Sequence, residues 1–126
     1  MALRTYLQCK LHRGTVTGAD LEYEGSISIC SQLLRCAGLH VHERVEVYNV
    51  TNGERFATYV IPGEAGEIGV NGAAAHKASP GDQVIIAAYV QLTPEEAAGH
   101  SPDVVLLGDE NSVVRIQKGS GPCVAS

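Results

Sequence analysis

Two alternating runs, ERVEVYNV and ERFATYVI, are joined by TNG at residues 51–53. A period of two puts successive side chains on opposite faces of a strand. Asn52-Gly53 between such runs is the strongest short-range hairpin signal a sequence can carry. The spacing predicts a hairpin over residues 43–61, closed by Pro62-Gly63. Half-buried paired strands need further strands to cover one face, and the rest of the chain supplies them.

Residues 3–12, LRTYLQCKLH, predict a strand, and Thr15 to Leu21 predict a second extended stretch broken by Gly18. Ser26 to Ile29 is short and β-like. SQLLRCAG predicts a short helix with Ser31 as N-cap and Gly38 past its end. EIGV, QVIIAAYVQL, DVVLL and SVVRI predict further strands, the last two around GDEN. TPEEAA has Thr93 as cap, Pro94 at the first helical position and Glu96 three residues after the cap. The sum is about seven short strands with small helices between them. No helix is long enough to cover a parallel sheet, so a closed or nearly closed β-barrel is the economical architecture. The chain has no internal repeat and reads as one domain over residues 1–126, with a loose tail at 119–126.

The charge balance narrows the partners. Fourteen acidic against nine basic residues give a formal net charge of −5, which speaks against nucleic acid. The longest strongly apolar run, Val84 to Val90, is too short to span a bilayer. The first 13 residues lack the apolar centre of a signal peptide. Cysteines stand at 9, 30, 36 and 123 without CxxC spacing. Free thiols in a reducing, cytoplasmic setting are the expectation, with no membrane partner. His40 and His42 alternate as a metal pair would, but no third ligand stands at useful spacing, so no metal is expected.

Three groups of residues could carry chemistry. Arg55 and Tyr59 lie four apart on one predicted strand and share a face, while Thr58 faces the other way unless a bulge turns it. Arg55 offers a planar fork for a carboxylate, and Tyr59 a proton donor on a rigid ring. The same spacing also describes a surface arginine beside a half-buried tyrosine. Lys10 and His12 form a similar pair on the first strand, which exposed charge would equally explain. In VNGAAAH, Asn71-Gly72 precedes three alanines, and such bare backbone suits either a ligand's close approach or a packed turn. Finally, DLEYEGSISI sets Gly25 directly before Ser26 at the mouth of a strand. Glycine there is a turn residue, or one half of a bond the protein breaks itself.

Together these blocks match a family. LRTYLQCKLHR, VTGADLEYEGS, YNVTNGERFATY, VNGAAAH, SPGDQVIIAAYV, TPEEA and GDEN follow one another over about residues 3–116. The chain resembles the pyruvoyl-dependent aspartate 1-decarboxylases of bacteria. That resemblance implies a double-psi β-barrel with short helices, assembled as a homotetramer with active sites between neighbouring subunits. It implies decarboxylation of L-aspartate to β-alanine and CO₂, in pantothenate and coenzyme A biosynthesis. It also implies cleavage at Gly25-Ser26 into a β chain, 1–25, and an α chain, 26–126, in some members with a helper protein for maturation. The Ser26 hydroxyl would attack the Gly25 carbonyl, the resulting ester would eliminate, and hydrolysis with loss of ammonia would leave a covalent pyruvoyl group derived from Ser26.

By the same resemblance, that group takes up the substrate amine as a Schiff base, and Tyr59 returns the proton. Thr58 would stabilise the oxygen that gains charge in the cleavage. Lys10, Arg55, Thr58, Asn71, Gly72, Ala73 and Ala74 would bind substrate, and His12 and Tyr23 would line the pocket or assist processing. Glu22 stands where many members carry histidine, VIPGEAGEIG is slightly shorter than in some, and the tail after Gln117 differs. Two rival readings remain open at this stage: a small-molecule-binding barrel that never cleaves, and a pyruvoyl enzyme for another amino acid.

Overall fold

The first strand is the spine of the molecule. In the computed structural model, which describes residues 2–119, β1 runs from Arg4 to Thr15. It pairs antiparallel with β7 (Gln83–Leu92) on one side and parallel with β8 (Asp103–Leu107) on the other. The remaining strands are β2 (Gly18–Asp20), β3 (Ser26–Cys30), β4 (Arg44–Asn49), β5 (Arg55–Gly63), β6 (Ile68–Asn71) and β9 (Val113–Gln117). Among the described residues they form one mixed nine-stranded sheet, in the order β2-β6-β3-β5-β4-β7-β1-β8-β9. The sheet curls on itself: Thr17 N–H donates to the Ile68 carbonyl at 2.7 Å, joining the chain beyond β1 to β6. This is the double-psi β-barrel, with two short α-helices, α1 (Ser31–Ala37) and α2 (Pro94–Ala98).

The core follows from alternation. Ile27 and Ile29 of β3, Val60 of β5, Ile68 and Val70 of β6, Val45 and Val47 of β4, Leu11 of β1 and Val84 and Ile86 of β7 are all fully buried. Burying side chains of this size contributes about 1.5–3 kcal/mol each before chain entropy is counted. Lys10 and His12 flank the buried Leu11 on the other face of β1, as their spacing predicts.

Several local expectations are corrected. The strands number nine rather than about seven, each of the separately predicted segments forming one; β1 runs on through Thr15, and the extended stretch after it shrinks to Gly18–Asp20. The hairpin forms, with Tyr48 opposite Arg55, but its loop is wider than a two-residue turn. The buried Asn49 side chain accepts from the N–H groups of Thr51 and Asn52, and only Gly53 takes positive φ in the loop. β5 runs through Pro62, because its ladder with β4 has already ended at Tyr59 and no donor is needed on that side. Ser31 is the first residue of α1 rather than its cap; Cys30, the last residue of β3, holds that position at φ −40°. Gly38 ends α1 at φ 76° as predicted, and Thr93 and Glu96 make the predicted capping box on α2. Gly119 donates to the Asp103 carboxylate at 2.7 Å, and the rest of the expected loose tail, 120–126, lies outside the described residues.

Candidate active site

At the start of β3 the chain passes in one step from surface to interior. Residues 21–25 are exposed, and Ser26 is 1% exposed. Asp20 organises the exposed loop, taking the Glu22 N–H on its carboxylate at 3.0 Å and the Tyr23 N–H on its carbonyl. Gly25 lies in the open on its own side-chain direction, with nothing within 4 Å of where a Cβ would stand.

Ser26 is held by two hydrogen bonds. Its Oγ donates to the Glu24 carbonyl at 2.9 Å and accepts from Asn71 Nδ2 at 3.0 Å. Asn71 is directly opposite Ser26 in the antiparallel β3–β6 ladder, and its Nδ2 also reaches Ser28 Oγ at 3.1 Å. All three side chains are buried. Gly72 follows at φ 74° and opens a 3₁₀ turn over Gly72–His76. In VNGAAAH, Gly72 is buried, Ala74 half-buried and Ala73 exposed.

The β3–β5 ladder brings in the second predicted group. Ile27 is level with Val60, so one step back along both parallel strands Tyr59 comes level with Ser26, and Thr58 precedes it on β5. The β4–β5 ladder shows no register shift, so no bulge turns Thr58 and it keeps the face opposite Tyr59. The Tyr59 ring lies 6.0 Å from that of His42. Tyr23 is exposed, but its carbonyl borders the Gly72 backbone.

Arg55 stands apart from this cluster. Arg55 is four residues before Tyr59, roughly 13 Å along the strand. Its guanidinium lies 4.3 Å over the Tyr48 ring, whose hydroxyl meets that of Tyr89 at 2.8 Å. Burial, the bond to Tyr89 and nearby Glu46 push the Tyr48 hydroxyl up to about 12 against the pull of Arg55, so the platform stays neutral. Among the described residues no carboxylate forms an ion pair with Arg55 or Lys10. Lys10 is four strands along the sheet order from β3 one way round, while the other way the chain beyond β1 meets β6, the neighbour of β3. Beside it, His12 Nδ1 is buried without a partner. Burial first, then Lys10 and Arg13, lower the His12 pKa below its ordinary value.

Sequence reasoning missed two residues here. Ser28 joins the Asn71 network, and its spacing of two from Ser26 was the available signal. Asn111 donates to the Thr15 and Gly66 carbonyls and accepts from Thr15 N–H, tying the end of β1 to the turn before β6. No group of three or more potential metal ligands occurs among the described residues.

Fold and site define a class: a small double-psi barrel whose centre is a buried serine at the mouth of a strand, oriented by an asparagine amide and preceded by an exposed glycine. The family profile described as aspartate decarboxylase matches residues 2–114, and the chain belongs to that family. A protein named aspartate 1-decarboxylase from Thioalkalivibrio sulfidiphilus is 56% identical over 115 residues, 90% of this chain and 91% of its own. One of the same name from Bdellovibrio bacteriovorus is 53% identical over 89% of this chain and 90% of its own. Another, from Ralstonia nicotianae, is 51% identical over 90% of this chain and 97% of its own.

Proposed function

We infer that the protein is a carboxy-lyase that converts L-aspartate to β-alanine and CO₂, in the route to pantothenate, using a pyruvoyl group it makes from Ser26. The observation that carries this reading is the held Ser26 hydroxyl, directly after an exposed glycine, in a chain of this family.

The residues fit the conversion. Ser26 Oγ–C bond formation at the Gly25 carbonyl, with loss of the C–N bond, shifts the acyl group from nitrogen to oxygen. Elimination then releases the Gly25 carboxylate, and one water replaces one ammonia at the former Ser26 Cα. Gly25 permits the backbone excursion, and its open side leaves room for it. Gly72, where a Cβ would stand 2.6 Å from Gly25 Cα, cradles the bond from the other side. The Asn71 amide donates to the attacking Ser26 Oγ, the oxygen that leaves with the Gly25 carboxylate, while the ketone oxygen arises from water at Cα in the place of the Ser26 nitrogen. Thr58, next to Tyr59 on β5, is the hydroxyl donor that the family resemblance assigns to the oxygen that gains charge in the shift. The pyruvoyl group supplies an electrophilic carbonyl and an electron sink for the decarboxylation.

The chain's own residues do the rest. Tyr59, on the face of Ser26 by register, delivers the proton to the substrate carbon. Arg55 takes the β-carboxylate, since gripping the carboxyl to be lost would stabilise the ground state. Lys10 adds positive charge. Asn71, Gly72, Ala73 and Ala74 border the substrate, with His12 and Tyr23 at the rim.

Arg55 sits roughly 13 Å along β5 from Tyr59 and its guanidinium rests on Tyr48, away from the Ser26 network, which favours a site completed by a second copy, as in a homotetramer. The expected setting is cytoplasmic; no helix among the described residues is long and apolar enough to cross a membrane.

The experiment is denaturing mass spectrometry of the purified chain beside an assay for β-alanine. Two fragments, 1–25 and a larger one that reacts with hydrazine, together with β-alanine release from aspartate, are expected. One intact 126-residue chain after long incubation, inert to aspartate, would sink the reading. Cleavage by the purified chain alone also means that no helper protein is required. Light scattering reads the assembly state, and a monomer would refute the shared site.

A further inference from the structure

We propose that Ser28 is a positioning residue for the cleavage at Gly25-Ser26: its hydroxyl fixes the Asn71 amide, which in turn fixes the Ser26 hydroxyl. This rests on the self-cleavage reading above. Ser26 and Ser28 are two apart on β3 and project to one face. Asn71 stands across from Ser26 on β6 and spans both, with Nδ2 at 3.0 Å from Ser26 Oγ and 3.1 Å from Ser28 Oγ. An amide nitrogen has two hydrogens in a fixed plane, and each is spent on one serine.

The orientation of that amide follows from the network. Ser26 has one proton, and it goes to the Glu24 carbonyl at 2.9 Å, so toward Asn71 it can only accept. Nδ2 must therefore face Ser26. One hydrogen bond alone would leave the amide free to swing about its last torsion. The second, to Ser28, closes that freedom and holds the plane in which the first hydrogen points at Ser26 Oγ. Ser26 is then pinned between a donor and an acceptor, with its remaining lone pair fixed in space. Ser28, Asn71 and Ser26 are 8%, 8% and 1% exposed, so water offers little competition for these bonds. Ser28 does not touch the reacting bond; it acts through Asn71.

The test follows cleavage by denaturing mass spectrometry from the end of cell-free synthesis. Ser28→Ala is expected to slow cleavage about tenfold, the effect of one buried hydrogen bond. Ser28→Thr, which keeps the acceptor, is expected to restore the rate to within about twofold. In an Asn71→Ala background, adding Ser28→Ala is expected to change the rate less than twofold, because the route through Asn71 is already cut. A general packing role would instead slow both backgrounds alike. If the alanine chain does not fold by circular dichroism, Ser28→Cys, close in volume but a weaker acceptor, carries the same expectation of slowing. A Ser28→Ala chain that cleaves at the parent rate, a threonine chain as slow as the alanine one, or equal slowing in both backgrounds would overturn the assignment. If the parent chain itself never cleaves, the self-cleavage reading fails first, and with it the basis of this one.

Discussion

Gly72 rests directly on Gly25: a Cβ added at Gly72 would stand 2.6 Å from Gly25 Cα and 2.8 Å from its nitrogen. The contact is backbone against backbone, so no side-chain rotation relieves it. Gly72 is also at φ 74°, where an L side chain is disfavoured. Gly72→Ala is therefore expected to cost about 2–4 kcal/mol in stability and to displace the Gly25 loop. Urea unfolding of the variant checks the first, and fragment formation by mass spectrometry checks the second. A variant with unchanged midpoint and unchanged fragments would contradict the contact.

Arg55 separates substrate binding from self-cleavage. Its guanidinium sits over Tyr48 and is not part of the Ser26 network. Arg55→Ala should leave cleavage intact and lower kcat/KM for aspartate roughly 10- to 150-fold, the loss of a charge-assisted bond of about 1.5–3 kcal/mol. Steady-state kinetics on processed protein reads the effect. Retained turnover would remove Arg55 from substrate recognition.

Acid should weaken the fold through His12. Burial, with Lys10 and Arg13 nearby, lowers its folded-state pKa below the ordinary 6.5. The unfolded chain then binds the proton more readily. His12 contributes stability that is present above pH 6.5 and is lost as pH falls from there through the folded pKa. Denaturant midpoints measured downward from pH 7.5 should decline more steeply in the parent than in His12→Asn. Parallel curves would show that His12 carries no such linkage.

Asn111 is a structural staple. It is 3% exposed and serves two carbonyls and one N–H of Thr15 and Gly66. Asn111→Ala strands these groups and should cost about 2–4 kcal/mol, read as a lowered melting temperature. It also stands at φ 58°, which asparagine tolerates better than alanine does. A melting temperature equal to the parent's would show that water replaces the amide.

The elements of this fold were largely legible because their signals are local. The alternation on either side of Asn52-Gly53, the Thr93–Glu96 box and the glycine after α1 each act within a few residues. The misplaced cap at Ser31 has a tertiary cause. β3 runs straight into α1, with Cys30 N–H still bonded to the Glu67 carbonyl, and the helix begins one residue earlier than a cap at Ser31 requires. The pairings were not legible. That β3 lies parallel to β5 and antiparallel to β6 is a long-range fact, and it alone brings Tyr59 and Asn71 to Ser26. Period-two spacing shows which face a residue takes, not which strand lies beside it. Resemblance named Asn71 for substrate; the geometry adds its grip on Ser26 and, through Ser28, the reason that grip is rigid.

The place of β1, between β7 and β8 in the sheet, bears on what severing the chain would do. A fragment ending at residue 25 would own that interior strand and β2 as well, so the two polypeptides would stay zipped into one body. Melting such a body would scatter two separate molecules. Reassembly would then be bimolecular and dilution-sensitive, and the amide that once guided the first folding would be gone. The matured catalyst is in this sense built once: heat it past its transition and cooling should return a far smaller folded fraction than the uncut precursor regains.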